Sequence, residues 1–174
     1  MAEQPKLSTV SNRLTVVLFI IYLIAICWIL LFKLGVHFSY MEKRSVNLIP
    51  FLEPLIFSSE NLSNVVIFVP FGIYVGILFE KWIFGKKLLS FFLVSLLVEA
   101  LQYILRIGAF DVTDIFTNTV GGIIGLIIFE AINKAFNNTI TAHKFINIIA
   151  ATGTVLMILL LALLKMNMLP IRYQ

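Results

Sequence analysis

Few residues of this sequence could build a covalent or metal-based framework. Its 174 residues include one cysteine, Cys27, and two histidines. One cysteine cannot form a disulfide within its own chain, and a zinc site of the usual cysteine and histidine kind would lack ligands. We therefore predict no metal and no cofactor.

Charged residues are also scarce. They make up 13% of the chain, against about a quarter in soluble domains, while hydrophobic residues make up 60%. With 16 phenylalanines and a mean hydropathy of +1.03, the chain has more apolar surface than a globule of this size can bury. An ordinary soluble enzyme is excluded, and a membrane protein is predicted.

The positive net charge does not indicate a nucleic-acid partner. Thirteen basic and nine acidic residues give a formal charge of +4. Basic residues cluster at the ends of membrane spans, which accounts for the excess. We predict membrane lipid, and no nucleic acid, as a partner.

Five predominantly apolar runs approach the length of about 20 residues that a helix needs to cross the hydrocarbon. They cover residues 14–32, 62–79, 88–105, 115–132 and 145–164. Proline lacks a backbone N–H and its ring clashes with the preceding turn, so Pro70 is expected to kink the second helix. The predicted fold is all-α, a polytopic membrane bundle of about five transmembrane helices in a single domain, residues 1–174.

The segment between the first two spans is mixed in character. Its apolar run from Asn47 to Leu52 is too short to cross the membrane, and Pro50 and Pro54 prevent a regular helix. We expect this first loop to lie in the interface or to re-enter the protein. Seven Lys and Arg residues fall on the side of the N-terminus and six on the other, which favours a cytoplasmic N-terminus.

Polar residues form one stripe on each of three predicted spans. An ionisable group in hydrocarbon is costly, so each is a functional candidate. The stripes, spaced by three and four residues, are Asn61 and Asn64, then Glu99, Gln102 and Arg106, then Asp111, Asp114 and Asn118. Connectivity puts all three stripes at one side of the membrane, and the short 106–110 turn makes the third and fourth spans antiparallel neighbours. A polar pocket that opens outward is predicted.

Structural roles compete with this interpretation. Asn and Gln side chains can join membrane helices without binding anything, and Asp111 and Asp114 can cap the fourth helix at its N-terminus. Gly121, Gly122 and Gly125 form a small-residue face that lets another helix approach. The isolated Asn147, His37 and His143 are interpreted as structural or loop residues.

The order and spacing of these residues resemble the VanZ-like family over residues 45–129. The resemblance lies in the run from Asn47 to Phe51, in Asn61 and Asn64 followed by Phe68 to Gly72, in Glu99 and Gln102, and in Asp111, Asp114, Asn118, Gly121, Gly122 and Gly125. The residues of this sequence that match the family pattern are Asn47, Asn64, Pro70, Gly72, Glu99, Gln102, Asp111, Asp114, Asn118 and Gly125. Arg106 lies farther from the aspartate pair than the arginine of the family pattern.

The resemblance implies a small multi-pass protein of the bacterial cytoplasmic membrane. It further implies reduced susceptibility to teicoplanin rather than to vancomycin, without the ligase and dipeptidase steps that remodel the peptidoglycan precursor. On this basis the polar pocket is expected to face outside and to engage either the antibiotic or a lipid-linked cell-wall intermediate. Asn64, Gln102 and Asn118 would supply hydrogen bonds, and Arg106 would meet a phosphate or carboxylate.

Two other functions stay open. Glu99, Asp111 and Asp114 could serve an intramembrane enzyme as acid and base or as ligands of a divalent cation. The sequence shows no nucleophile–base pair, metal signature or phosphate loop, so binding is favoured over catalysis. Alternatively, the glycine face could dock the chain onto a cell-wall synthesis complex or onto a second copy, and the oligomeric state stays open.

Overall fold

The computed structural model describes residues 4–32, 45–50, 59–136 and 139–165. These residues form five helices: α1 (Gln4–Phe32), α2 (Ser59–Leu78), α3 (Phe84–Leu105), α4 (Val112–Phe136) and α5 (Thr139–Lys165). Each helix coincides with one of the predicted apolar runs, and most begin several residues before it. The predicted helical bundle is confirmed.

Three of these helices are long and apolar enough to cross a membrane, with apolar windows at Asn61–Leu78, Phe84–Leu105 and Val112–Phe136. Large apolar side chains such as Leu97 and Ile127 are exposed on their outer faces, as lipid-facing residues are. The chain is therefore a membrane protein. In α1 and α5 the described apolar stretches, Arg13–Ile29 and Ile140–Leu156, are shorter, so five crossings stay a prediction.

Helices α2 and α4 pack against each other more extensively than any other pair. A Cβ atom on Gly121 would collide with the carbonyl oxygen of Val65, and one on Gly125 with that of Val69. The backbones thus meet directly, as small residues allow in membrane bundles. The helix that approaches the glycine face of α4 is α2 of the same chain.

Helix α3 closes the core from another side. A Cβ on Gly122 would lie 2.6 Å from the ring of Phe91, so this glycine makes room for an aromatic side chain. Phe91 meets the ring of Phe71 edge to face at 5.4 Å between ring centres, and Phe71 meets Phe68 in the same way at 5.7 Å. Such edge-to-face pairs are the favoured aromatic geometry.

Pro70 lies inside α2 without ending the helix. Proline removes one backbone donor from the preceding turn. In that turn the hydroxyl of Tyr22, on α1, donates a hydrogen bond of 2.7 Å to the carbonyl oxygen of Ile67. The missing N–H of Pro70 would have donated to the carbonyl oxygen of Val66, and Tyr22 adds a donor at the next carbonyl oxygen along the helix.

Polar contacts also hold α5. The hydroxyl of Thr15 on α1 donates to Oδ1 of Asn147 over 2.9 Å, and both residues are buried. Nε2 of His143 lies 3.1 Å from Oε1 of Glu80, at the end of α2. Asn147 and His143 therefore join helices, in keeping with the structural roles expected of them, while His37 lies outside the described residues.

Two short strands were not predicted from the sequence. Val46–Asn47 forms β1 and Phe110–Asp111 forms β2, and they pair in parallel with Asn47 opposite Asp111. The N–H of Phe110 donates to the carbonyl oxygen of Ser45 over 3.0 Å. The first loop is thereby tied to the α3–α4 turn. Pro50 lies in a turn after β1, and Pro54 lies outside the described residues.

Candidate functional site

Polar side chains from four segments meet at one end of the bundle. They come from the start of α2, the end of α3, the start of α4 and the β1–β2 pair. We call this group the polar site: Asn47, Asn64, Glu99, Gln102, Asp111 and Asp114. All six were predicted from the sequence as candidate site residues.

Asp111 is the centre of this group. Its Oδ2 accepts a hydrogen bond of 3.0 Å from Nδ2 of Asn47, and its Oδ1 accepts one of 2.7 Å from the N–H of Thr113. The second bond caps the N-terminus of α4. The N–H of Asp111 donates to Oε2 of Glu99 over 3.0 Å. One residue thus connects the first loop, α3 and α4.

Asp114 stands in the first turn of α4, where the free N–H groups and the helix dipole favour a carboxylate. Its Oδ1 accepts a hydrogen bond of 2.7 Å from Nδ2 of Asn64 on α2. Asn64 is only 7% exposed. The polar site therefore continues across the α2–α4 contact that the glycines allow.

A second polar pair lies one helical turn farther into the bundle. Nδ2 of Asn118 donates to Oγ of Ser95 over 2.8 Å, and both side chains are buried. Oδ1 of Asn118 has no hydrogen-bond partner among the described residues. Exchanging the amide oxygen and nitrogen would only transfer this lack to the nitrogen. Asn118 was predicted; Ser95 was missed, although it lies four residues before Glu99 on the same face of α3.

Arg106 follows the last residue of α3 and caps that helix. Its φ of 57° is left-handed, and its N–H donates to Tyr103 while that of Ile107 donates to Gln102, both through backbone oxygens. These two bonds form a Schellman ending, in which glycine is the usual residue. Arg106 is exposed and forms no ion pair within the described part of the chain. The structure thus does not bring Arg106 to the carboxylates.

The remaining predicted residues lie around these contacts. Gln102 is 4% exposed, and a Cβ on Gly108 would lie 3.2 Å from its Cδ, so the turn packs onto its side chain. Asn61 lies one turn before Asn64 on α2 and is half-buried. Pro70, Gly121, Gly122 and Gly125 belong to the helix packing described above. Gly72 belongs to it as well, because a Cβ atom there would collide with the carbonyl oxygen of Gly122.

The chemistry of the polar site is that of a hydrogen-bond acceptor. The carboxyl groups of Glu99, Asp111 and Asp114 lie at this end of the bundle, and a ligand with hydroxyl, amide N–H or ammonium groups would complement them. Within residues 4–32, 45–50, 59–136 and 139–165, no group of three or more His, Cys, Asp or Glu residues is placed to share a metal ion. The geometry therefore supplies a hydrogen-bonded site rich in carboxyl groups.

Comparison with known proteins places the chain in one family. The profile of the family described as VanZ/LLP1 matches residues 19–133, which include the whole polar site. Protein VanZ of Enterococcus faecium is 39% identical over 145 residues, covering 81% of this chain and 86% of that protein. No solved structure matches the chain. The resemblance found in the sequence is confirmed: the chain belongs to the VanZ/LLP1 family.

Proposed function

We propose that this protein lowers the susceptibility of a bacterium to teicoplanin-type glycopeptide antibiotics. Its membership of the VanZ/LLP1 family and its likeness to Protein VanZ support this role. The observation that carries the proposal is the convergence of Asn47, Glu99 and Asp111 from three separate segments. Such a group at the end of a membrane bundle is more than helix adhesion requires.

The polar site engages the head of an amphiphile at the membrane surface. That amphiphile is either the antibiotic itself or a lipid-linked cell-wall intermediate. Asn64, Gln102 and Asn118 add amide groups to the carboxylates, and the buried Asn118 lacks a partner for one amide atom among the described residues. Arg106, exposed beside the site, meets a phosphate or carboxylate that stays in water.

The site faces the outside of the cytoplasmic membrane in this proposal. The excess of Lys and Arg on the side of the N-terminus supports a cytoplasmic N-terminus. The start of α2, the end of α3 and the start of α4 then all lie at the outer surface. An antibiotic or an exported cell-wall intermediate would reach the site there without crossing the membrane.

Binding accounts for the geometry better than catalysis does. Hydrogen bonds from Asn47 and from Thr113 fix the carboxyl group of Asp111 in place, and each oxygen keeps a second lone pair for a ligand. The sequence offers no nucleophile–base pair or metal signature beside it. Docking onto a protein complex through the glycine face is also disfavoured, because α2 covers Gly121 and Gly125.

The deciding experiment is antibiotic susceptibility in a Gram-positive host. The host expresses the wild-type chain, Asp114→Ala, Glu99→Ala or a control variant, Glu130→Ala. Glu130 is exposed and lies toward the other end of α4. We expect wild type and Glu130→Ala to reduce teicoplanin susceptibility but not vancomycin susceptibility, and both site variants to lose the effect at equal membrane levels. Full protection by both site variants would overturn the site, and no protection by wild type would overturn the function.

A metal chelator and lipid extracts address the enzyme alternative in the same strains. Protection that persists with the chelator present, and lipid extracts without a modified product, would support binding. A metal requirement together with a new lipid or glycan product would favour the enzyme.

A further inference from the structure

An apolar cavity lies between α1, α2 and α5, apart from the polar site. Its volume is about 350 Å³, within the range of ligand pockets. Ile26 of α1, Ile67 and Pro70 of α2, and Ala150 and Gly153 of α5 are among its lining residues. None of these five belongs to the polar site.

The walls of this cavity suit hydrocarbon rather than water. The hydroxyl of Tyr22 donates a hydrogen bond of 2.7 Å to the carbonyl oxygen of Ile67. The hydroxyl of Thr154 donates a hydrogen bond of 2.8 Å to the carbonyl oxygen of Ala150 in its own helix. Water needs several polar partners to occupy a buried cavity. Of the three hydroxyls in the lining, only that of Tyr74 is left for water, and one partner is too few to hold a water molecule.

The cavity opens on the α5 side. Ile149 and Gly153 line it and are both exposed. A Cβ atom on Gly153 would meet nothing within 4 Å, so the space in front of this glycine is empty. A chain can thus enter from the surrounding lipid beside Gly153.

We infer that this cavity holds a short acyl chain of the same amphiphile whose head occupies the polar site. The inference rests on the proposed function, and α2 supplies the continuity between the two places. Asn64 contacts Asp114 in the polar site, and Ile67 lines the cavity about 5 Å farther along the same helix. A head at Asn64 therefore places its chain at the cavity.

The size of the cavity sets how much of a chain it encloses. A water-sized group takes about 30 Å³, so a volume of about 350 Å³ holds roughly a dozen carbon atoms. A short acyl chain is enclosed whole, whereas a polyprenyl chain of a cell-wall carrier is several times longer and leaves most of its length in the lipid beside Gly153. The cavity therefore suits the chain of an acylated amphiphile.

Photolabelling of the purified protein in phosphatidylglycerol nanodiscs tests this assignment. The probe is decyl maltoside with a diazirine in its alkyl chain, because its hydroxyl-rich head complements carboxylates. The comparison probes carry the diazirine in a phosphatidylglycerol chain and in a polyprenyl phosphate. We expect the decyl probe to label residues 22–29 and 146–154 at least fivefold more than either comparison probe.

Two variants fill the cavity, and a third variant serves as the control. Gly153→Leu and Ala25→Leu should each reduce this labelling at least fivefold. Gly85→Leu should leave it unchanged, because Gly85 also has free space at its Cβ but lies outside the cavity. Undiminished labelling in both filled variants, or equal labelling by either comparison probe, would overturn the inference.

The labelling result is independent of antibiotic resistance, so the two proposals can fail separately. Selective labelling that Gly153→Leu abolishes would support the acyl-chain site even where the chain confers no teicoplanin protection. Protection that depends on Asp114, combined with no selective labelling, would support the resistance function and overturn the acyl-chain site.

Discussion

Nδ2 of Asn64 donates a hydrogen bond to Oδ1 of Asp114 over 2.7 Å, so the polar ends of α2 and α4 are joined side chain to side chain. Asn64 is almost fully buried. A partly buried carboxylate that loses this donor loses part of the compensation for its desolvation. The amide nitrogen, rather than the size of the side chain, is therefore what this position requires.

Replacing Asn64 by residues of similar size tests that requirement. Asn64→Leu removes the donor and should destabilise the protein by about 1–3 kcal/mol. Asn64→Asp should destabilise it more, because two carboxylates would then face each other. Thermal unfolding in detergent micelles measures both, with Asn133→Leu near the other end of α4 as the control. Equal melting temperatures for the three variants would contradict the prediction.

The contact between α2 and α4 should be sensitive to a single methyl group. In Gly125→Ala the new Cβ would collide with the carbonyl oxygen of Val69, so the helices must separate, at a cost of about 1–3 kcal/mol. Gly85→Ala adds the same group where nothing lies within 4 Å and should not lower stability. The melting temperatures of the two variants provide the test, and a Gly125→Ala protein as stable as wild type would show that the helices do not meet this closely.

Two neighbouring tyrosines make a matched pair for testing the contact beside Pro70. The rings of Tyr22 and Tyr74 lie 5.6 Å apart. Only the Tyr22 hydroxyl donates to a described residue, the carbonyl oxygen of Ile67. Tyr22→Phe should therefore cost about 1 kcal/mol, and Tyr74→Phe close to nothing. Unfolding in micelles compares them, and the reverse order would exclude the proposed role of the hydroxyl.

The buried Ser95 and Asn118 pair should behave non-additively. Ser95→Ala leaves the amide nitrogen of Asn118 without its acceptor and should cost about 1–3 kcal/mol. Adding Asn118→Leu removes the whole polar pair and should restore most of the lost stability. A double-mutant cycle on thermal unfolding measures the coupling. Additive destabilisation would mean that the two side chains do not interact as described.

The orientation of the chain can be read from cysteine labelling. In a Cys27→Ser background, Ser45→Cys lies beside β1 at the polar end, and Lys81→Cys lies in the turn between α2 and α3 at the other end. Both positions are exposed. A membrane-impermeant maleimide should label Ser45→Cys in intact cells and Lys81→Cys only after permeabilisation. The opposite pattern would place the polar site in the cytoplasm.

Much of the fold could be predicted because a long apolar run in a membrane has few alternatives to forming a helix. The polar stripes could be placed at one end from connectivity alone, since Glu99 precedes the turn that Asp111 follows. The predicted glycine face also has a neighbour, although the sequence could not say that the neighbour would be α2. These inferences need only local spacing and the direction of each helix.

The rest depends on contacts that spacing does not encode. Asn47 and Asp111 are 64 residues apart, and two-residue strands carry no periodicity. Ser95 looks like any small residue in an apolar run until Asn118 is placed opposite it. Arg106 was expected near the carboxylates because it shares their stripe, but the helix ends at this left-handed residue, and the spacing of a helix no longer applies there.

The pairing of β1 with β2 also sets the order in which the molecule can be completed. During synthesis, Val46 and Asn47 leave the ribosome long before their partners Phe110 and Asp111 exist. Asn47 therefore has no strand partner while α2 and α3 are made and inserted. A nascent chain that stops before the α3–α4 turn holds Glu99 but neither Asp111 nor Asp114, so assembly of the polar site is a late step in the biogenesis of this protein.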